Sequence, residues 1–259
     1  MPSPFLALSA IDYAIGPKSI LSGIDLTLER GRIYGLVGPN GSGKSTLLKI
    51  IARQVGPKSG AISFDGKPAG DWGSRAFARH VAYMAQFTPA SDGMTVRELV
   101  ALGRFPWHGT LGRFTATDRN MVEEAIVRTE LEDFADRLVA SMSGGERQRA
   151  WIAMMLAQDA RCLLLDEPTS ALDLAHQASV LSLVEELSHE RGLTVIIVLH
   201  DINLAARYCD AIIALNRGRI TAEGTPSEIM QADTLQSIFG VGMGVFPHPV
   251  RNEPVSYLL

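Results

Sequence analysis

Cysteines, long apolar runs and a surplus of basic residues are all scarce or absent in this sequence. Its 259 residues include two cysteines, which are too few for a disulfide framework and suit a reducing compartment. The longest apolar runs, such as 195–199, are much shorter than the ~20 residues of a membrane-spanning helix. We therefore expect no part of this chain to cross a membrane. The first residues carry two prolines and no basic region, so they match a signal peptide poorly.

The charge balance also excludes some functions. Lys and Arg number 24 against 28 Asp and Glu, which gives a net charge of −4. Nucleic-acid binders normally carry a basic face, so DNA or RNA is disfavoured as the main ligand. Apolar residues make up 46% of the chain and charged residues 20%, as in ordinary folded proteins. A chain of this length can bury enough surface to fold without disulfides or a structural metal.

The apolar pattern alternates between strands and helices, which predicts an α/β fold with a largely parallel sheet. A buried strand is predicted at 33–37, strand-like alternation marks 61–64 and 81–84, and strand character returns at 162–165, 195–199 and 211–215. Helices are predicted over 44–54 and about 175–190, and the pattern between 87 and 158 is mainly helical. That stretch predicts a separate helical lobe. After Gly224 we expect short helices and then a proline-containing tail.

A glycine-rich segment lies between the first predicted strand and the first predicted helix. It fits the pattern G-x-x-x-x-G-K-[ST] and consists of Gly38, Pro39, Asn40, Gly41, Ser42, Gly43, Lys44 and Ser45, followed by Thr46. Such a loop turns successive N–H groups toward a phosphate at a helix N-terminus. We expect Lys44 to contact the β- and γ-phosphates and Ser45 to hold Mg²⁺. A glycine turn beside a surface lysine is the alternative. The dinucleotide pattern G-x-G-x-x-G is not met, which disfavours NAD.

Two adjacent carboxylates follow the apolar strand 162–165. Successive strand residues point to opposite faces, so Asp166 and Glu167 should have different roles. We expect Asp166 to hold Mg²⁺ through water and Glu167 to reach an attacking water as a general base, unless the pair is only a solvated turn. His200 ends the strand 195–199 at the carboxyl edge of the sheet, where ligands bind in such folds. Taken alone, this residue is more typical of a structural histidine.

The segment MSGGERQR at 142–149 predicts a second anion-binding helix start. Ser143, Gly144 and Gly145 open the helix, so a hydroxyl and free N–H groups would face an anion. A single nucleotide has no need of two such sites on one chain. Two copies placed head to tail would let each nucleotide use one site from each copy. The sequence therefore predicts a homodimer.

Together these ordered segments resemble the nucleotide-binding subunit of ATP-binding-cassette (ABC) transporters. The resemblance covers the whole chain and rests on GPNGSGKST, AQ at 85–86, MSGGE, LLLDEP, SALD and LHD. It implies a P-loop NTPase with a RecA-like core and an inserted helical subdomain. The implied parts are the core at about 1–86 and 159–225, the helical subdomain at about 87–158 and a C-terminal tail at about 226–259.

The resemblance also implies the ligands, ATP and Mg²⁺, and residue roles. The residues acting on one nucleotide would be the phosphate loop, Gln86, Asp166, Glu167 and His200, with Gln86 also at the metal. Ser143, Gly144, Gly145 and Glu146 would act on the partner subunit's nucleotide, and Asp173 would organise the dimer interface. Two positions depart from the common pattern, where Met142 replaces leucine and Glu146 replaces glutamine. The slot for an adenine-stacking aromatic holds Ile15, with Tyr13 two residues earlier.

Other classes of cassette protein fit less well. A DNA-repair cassette would need a long coiled-coil or zinc-bearing insertion, a translation cassette would be tandem, and an exporter usually carries membrane helices. A stand-alone cassette that pairs with separate permease subunits remains, most typically an importer without nucleic acid as partner. Such a subunit would lie peripherally at the cytoplasmic face of the bacterial inner membrane.

The substrate class rests on resemblance outside the nucleotide site. The segments 101–114, 146–173, 199–210 and 247–257 resemble cassettes of iron–siderophore, haem and cobalamin importers, and most closely those of ferric-hydroxamate importers. A periplasmic siderophore-binding protein would then be an indirect partner. Phe105 and Trp107 would either contact the permease or serve as hydrophobic packing.

Overall fold

The computed structural model describes residues 4–86, 93–109, 112–170, 172–251 and 253–259. Parts of the segments named above lie outside the described residues: 1–3, 87–92, 110–111, Ala171 and Asn252. The chain forms two compact units, one of Met1–Trp72 with Leu187–Leu259 and one of Gly73–Glu186. Among the described residues, no helix is both long enough and apolar enough to span a membrane.

The described residues form twelve strands and ten α-helices. The strands are β1 (Leu6–Ile15), β2 (Lys18–Leu28), β3 (Ile33–Val37), β4 (Ser59–Phe64), β5 (Lys67–Pro68), β6 (Val81–Met84), β7 (Cys162–Leu165), β8 (Thr194–Val198), β9 (Ala211–Asn216), β10 (Arg219–Gly224), β11 (Met243–Pro247) and β12 (Pro254–Leu258). The helices are α1 (Lys44–Ile51), α2 (Ser74–Ala78), α3 (Val96–Leu102), α4 (Phe105–His108), α5 (Ala116–Arg128), α6 (Gly144–Ala157), α7 (Leu174–Arg191), α8 (Ile202–Tyr208), α9 (Pro226–Ile229) and α10 (Ala232–Phe239).

The first unit is built on parallel strands, with β3 between β8 and β9 and parallel to both. Every residue of β3 and β8 is buried, as expected for parallel strands covered on both faces. Strand β10 extends this sheet antiparallel to β9. Because β3 and β8 run in the same direction, the glycine-rich loop after β3 and His200 after β8 lie at the same edge of the sheet.

The first unit also contains two antiparallel sheets. Strands β2, β1, β4 and β5 pair in that order, with β1 and β2 preceding the glycine-rich loop in the sequence and β4 and β5 following α1. Near the C-terminus, β11 and β12 form a hairpin in register from Met243 opposite Leu258 to Pro247 opposite Pro254. This C-terminal hairpin packs on α8 and α10.

The second unit combines a parallel strand pair with helices. Strands β6 and β7 are parallel, from Val81 opposite Cys162 to Met84 opposite Leu165. Helices α3 and α5 pack on α6, which buries several apolar side chains, among them Ile152. Helices α3, α5 and α6 each begin with a capping box. In each box the side chain of the N-cap residue accepts from the backbone N–H of the third helical residue, whose own side chain accepts from the backbone N–H of the N-cap residue.

Most predicted elements are confirmed. The strands at 33–37, 81–84 and 162–165 have the predicted bounds, and the helix predicted over 44–54 is present but ends at Ile51. The hairpin β1–β2 and the C-terminal hairpin are elements that the sequence analysis did not predict. The second unit includes β6 and β7 as well as helices, so the helical subdomain at about 87–158 stays a prediction.

Candidate functional site

The loop between β3 and α1 has a backbone that glycine makes possible. Gly38, Gly41 and Gly43 have φ values of +136°, +75° and +105°, which L side chains rarely adopt. A Cβ at Gly38 would lie 1.9 Å from the carbonyl oxygen of Leu215. The loop therefore packs tightly against β9, and no larger residue fits at Gly38.

Lys44 closes this loop from the first turn of α1. Its side chain is buried, and Nζ donates to the carbonyl oxygens of Gly38 at 2.8 Å and Pro39 at 3.0 Å. Among the described residues, no side chain caps the N-terminus of α1, and the buried Ser42 Oγ has no hydrogen-bond partner. A buried ammonium, an uncapped helix start and an unpaired hydroxyl together suit a phosphate group. Asn40 is exposed, and Ser45 and Thr46 are half-buried beside the loop.

The position expected to support adenine lies at the end of β1. Ile15 is 62% exposed and pairs with Lys18 across the β1–β2 turn. Tyr13 is half-buried and pairs with Leu21. Ile15 thus offers an accessible aliphatic surface, and the adenine contact stays a prediction.

His200 lies exposed between β8 and α8. The next residue, Asp201, caps α8 by accepting hydrogen bonds from the N–H groups of Asn203 at 2.7 Å and Leu204 at 3.4 Å. The backbone of His200 is therefore held between a buried strand and a capped helix.

In the second unit, the two adjacent carboxylates have different surroundings. Asp166 is buried, and its N–H donates to the carbonyl oxygen of Met84 at 3.0 Å. Burial, followed by the nearby Asp166 carboxylate, raises the pKa of Tyr83 to about 12. Glu167 is half-buried with φ +52°, a strained conformation of the kind often found at functional sites. Gln86 Nε2 donates to Glu167 Oε2 at 2.5 Å, which brings together two residues that the sequence placed 81 positions apart.

The segment that follows the carboxylates contacts the start of α6. Asp173 Oδ1 accepts hydrogen bonds from the backbone N–H of His176 at 2.9 Å and from its ring Nδ1 at 2.8 Å. The imidazole of His176 lies against Gly145, where a Cβ would come within 2.2 Å of the ring. A Cβ at Gly144 would lie 3.5 Å from Leu172. The sequence analysis did not foresee this contact between the SALD and MSGGE segments, since nothing local encodes it.

The start of α6 is engaged in its own cap. Ser143 Oγ accepts from the N–H of Glu146 at 3.3 Å, and Glu146 Oε2 accepts from the N–H of Ser143 at 2.8 Å. The bond that the carboxylate accepts from the Ser143 backbone N–H, followed by one from the Ser143 side chain, lowers the pKa of Glu146. The pattern S-x-x-E was visible in the sequence and would have predicted this role for Glu146.

The segment 101–114 has a buried part and an exposed part. Trp107 is half-buried and packs on the second unit, because its ring lies under the guanidinium groups of Arg79 and Arg104, and its Nε1 donates to the carbonyl oxygen of Gln158 at 2.8 Å. Phe105 is 49% exposed. Trp107 thus makes packing contacts within the second unit and Phe105 offers an accessible surface, and contact of either side chain with a permease stays a prediction.

The residues expected at the metal offer oxygen ligands. No group of three or more His, Cys, Asp or Glu side chains within the described ranges could hold a metal ion. Mg²⁺ does not require such a group, since it usually keeps several waters and takes one or two carboxylates together with substrate phosphates. The Ser45 hydroxyl, the Gln86 amide and the Asp166 carboxylate are of the type that Mg²⁺ prefers.

Comparison with known proteins connects this chain to one family. A family described as "ABC transporter" matches residues 21–170. The iron(3+)-hydroxamate import ATP-binding protein FhuC of Bacillus subtilis is 39% identical, over 96% of this chain and 93% of the relative. The achromobactin transport ATP-binding protein CbrD of Dickeya dadantii is 42% identical over the same shares. The hemin import ATP-binding protein HmuV of Streptomyces coelicolor is 43% identical, over 94% and 86%.

Solved structures agree with this result. A structure described as an inward-facing metal-chelate type ABC transporter aligns with a TM-score of 0.86 and 26% identity, over 99% of this chain and 97% of the other. A structure described as a dimeric bacterial ABC transporter cassette aligns with a TM-score of 0.74 and 30% identity, over 85% and 98%.

Proposed function

This chain belongs to the ABC transporter family of ATP-binding proteins, and from that membership we propose that it hydrolyses ATP to drive import of iron(III)-hydroxamate siderophores. The observation that carries the proposal is the 39% identity to an iron(3+)-hydroxamate import ATP-binding protein over nearly the whole of both chains. The phosphate loop and the segments MSGGE and LLLDEP supply the parts that ATP hydrolysis needs.

The first unit binds the phosphates of ATP. Backbone N–H groups of the loop 38–43 and the first turn of α1 donate to phosphate oxygens, and the Lys44 ammonium neutralises their charge. The hydrogen bonds of Lys44 to two loop carbonyls keep its flexible side chain in place before the nucleotide arrives. Ile15 supports the adenine by apolar contact.

Ser45, Gln86 and Asp166 would hold Mg²⁺, which when bound would neutralise charge on the phosphate oxygens. Glu167 accepts a proton from the attacking water. Its left-handed backbone conformation interrupts the extended strand geometry after the buried Asp166, so the two carboxylates are not placed as successive residues of a regular strand. Gln86 holds one oxygen of the Glu167 carboxylate through its amide. His200 contacts the γ-phosphate and responds to its loss.

Two copies of the chain complete each site. Ser143, Gly144 and Gly145 of one copy present the start of α6 to the nucleotide of the other, and Asp173 organises the interface between the copies. The similar cassette structure described as dimeric supports this arrangement. Binding of ATP then favours a closed dimer over an open one, which is a population shift driven by a ligand.

The transport assembly needs partners beyond this chain. We propose that the dimer docks on permease subunits at the cytoplasmic face of the bacterial inner membrane, and that a periplasmic siderophore-binding protein delivers the substrate. The similar structure described as a metal-chelate type ABC transporter supports a role in chelate transport.

Uptake of a labelled iron–hydroxamate in a strain lacking this chain tests the proposal. The strain should accumulate iron again when it expresses the unaltered chain or Lys49→Ala, which changes an exposed lysine on the same helix α1. Lys44→Ala should not restore uptake, because the substitution removes the ammonium that contacts the phosphates of ATP. Normal accumulation in the deletion strain would overturn the siderophore assignment.

Haem import is the second candidate, because the hemin import relative is 43% identical over 94% of this chain. Labelled haem supplied to the same strains distinguishes the two. Loss of haem uptake with normal hydroxamate uptake would favour haem as the substrate and leave the ATPase role intact.

A further inference from the structure

Two of the segments that resemble siderophore and haem importers meet in the structure through one side chain. Asn203, in the first turn of α8, belongs to the segment 199–210, and Ser256, in β12, belongs to the segment 247–257. The Asn203 Oδ1 accepts from the backbone N–H of Ser256 at 2.7 Å and from its hydroxyl at 3.0 Å, and Nδ2 donates to the Ser256 carbonyl oxygen at 3.1 Å.

Through two of these hydrogen bonds the side-chain amide of Asn203 pairs with the backbone N–H and C=O of Ser256. Both backbone groups of Ser256 are paired with Asn203, in the way an adjacent strand would pair them. Ser256 is 6% exposed, so its polar groups have little access to water and depend on this partner. Neither charge nor long flexible side chains are involved, so the contact fixes geometry closely.

The same residue is tied to the region of His200. The backbone N–H of Asn203 donates to Asp201 Oδ1, and Asp201 follows His200 directly. Asn203 therefore connects the cap of α8 on one side with the C-terminal hairpin on the other. His200, Asn203, Ser256 and Tyr257 also line one cavity of about 460 Å³, whose remaining wall is largely apolar. The hairpin thus packs within reach of the segment that carries the imidazole.

We propose that Asn203 is a positioning residue that ties the C-terminal hairpin to the start of α8 and so sets the position of His200. This inference rests on the proposed function, in which His200 contacts the γ-phosphate of ATP. The strand β8 fixes His200 from one side only. A displacement of α8 by a fraction of an ångström would move the imidazole relative to the phosphate while leaving the phosphate loop in place.

Steady-state ATP hydrolysis by the purified full-length chain tests the proposal. Asn203→Ala removes all three bonds to Ser256 and should lower kcat about tenfold or more, since small misplacements of catalytic groups are costly. Its KM for ATP should change less than about twofold, because the residues that bind the phosphates are untouched. The matched control is Ser256→Ala, which loses one hydroxyl bond and keeps both backbone bonds, and its kcat should stay within about twofold of the unaltered chain.

A second set of variants separates positioning from general destabilisation. If Asn203 acts through His200, Asn203→Ala should have almost no further effect on kcat when it is added to His200→Ala. Additive losses in the double variant, or a kcat for Asn203→Ala equal to that of the unaltered chain, would overturn the inference. Failure of the unaltered chain to hydrolyse ATP would instead count against the proposed function itself.

Discussion

At the scale of the single residue, Glu146 shows how a site can keep a carboxylate beside an anion. Glu146 lies three residues after Ser143, which we propose contacts the γ-phosphate of the partner's ATP. A carboxylate that pointed toward that γ-phosphate would repel it, because both groups are negatively charged. The structure instead turns Glu146 back onto the N–H of Ser143, so that its charge is used in the capping box of α6.

Glu146→Gln tests this division of roles. Glutamine can form the same capping box, so the free energy of unfolding should change by less than about 0.5 kcal/mol. Removing the negative charge should lower the ATP concentration needed for half-maximal hydrolysis by about two- to fivefold, since solvent-screened unit charges interact by about 1 kcal/mol or less. Urea denaturation and ATP titrations measure the two effects.

The control variant for Glu146 is Glu98→Gln, which alters the corresponding glutamate in the capping box of α3. It should leave the ATP dependence unchanged. Equal shifts in the two variants would show that the charge of Glu146 has no special relation to the nucleotide.

At the scale of elements, a buried ion pair joins the segment before α4 to α5. Arg104 Nε donates to Asp118 Oδ1 at 2.9 Å, and both side chains are about 5% exposed. Arg104 also donates to the carbonyl oxygen of Ala157 at the end of α6. Burial alone would raise the pKa of Asp118, but hydrogen bonds from Thr115 and Arg104 outweigh it and lower the pKa to about 2.

Stability should therefore depend on pH through Asp118. The pKa of Asp118 rises from about 2 to its ordinary value of 3.8 on unfolding, so its contribution to stability is full above pH 3.8 and is lost as pH falls toward 2. The shift corresponds to roughly 2 kcal/mol. Asp118→Asn should remove that part of the pH dependence and destabilise the chain at pH 7 by about 3 kcal/mol, because it leaves Arg104 buried without its partner.

Urea denaturation at pH 7 and thermal melting between pH 4 and 2 measure the Asp118 effects. Asp133→Asn, a change at an exposed aspartate in the same unit, serves as the control and should behave like the unaltered chain. An Asp118→Asn chain with unaltered stability at pH 7 would contradict the role of the ion pair.

A second contact between elements is steric. His176, in the first turn of α7, fills the space above Gly145. Gly145→Ala should lower the thermal midpoint by several degrees, because the added Cβ collides with a ring held by Asp173. Adding His176→Ala should restore most of that midpoint. If the double variant were less stable than Gly145→Ala alone, the collision would not be the cause.

Sequence patterns predicted the elements whose signals are local. The strands β3, β7 and β8 are continuous apolar runs, and the phosphate loop is a contiguous motif, so both could be found without knowing the fold. The place of the C-terminal hairpin in the fold could not, because Ser256 in β12 bonds Asn203, which is 53 residues away in the sequence. The contact of His176 with Gly145 and the bond from Gln86 to Glu167 join distant segments in the same way.

At the scale of the whole molecule, the proposed function gives each chain two helix starts that face a nucleotide, α1 and α6. The start of α1 lies in the first unit beside Lys44, whereas the start of α6 lies in the second unit beside Gly145 and the His176 ring. If each nucleotide uses α1 of one copy and α6 of the other, ATP is part of the interface. Association of the copies should then depend on ATP and cease after hydrolysis.

Glu167→Gln makes this dependence measurable. Loss of a general base typically slows a reaction about 10²–10⁴-fold, so this variant should keep ATP bound and accumulate as a dimer. Light scattering after size exclusion should show a doubling of mass with ATP and a monomer with ADP. Adding Ser143→Arg should abolish the dimer, since it puts a bulky cation at the start of α6, whereas Ser182→Arg on the exposed face of α7 should not. A Glu167→Gln chain that stays monomeric in saturating ATP would contradict the shared site, because nothing would then bring α6 to a nucleotide.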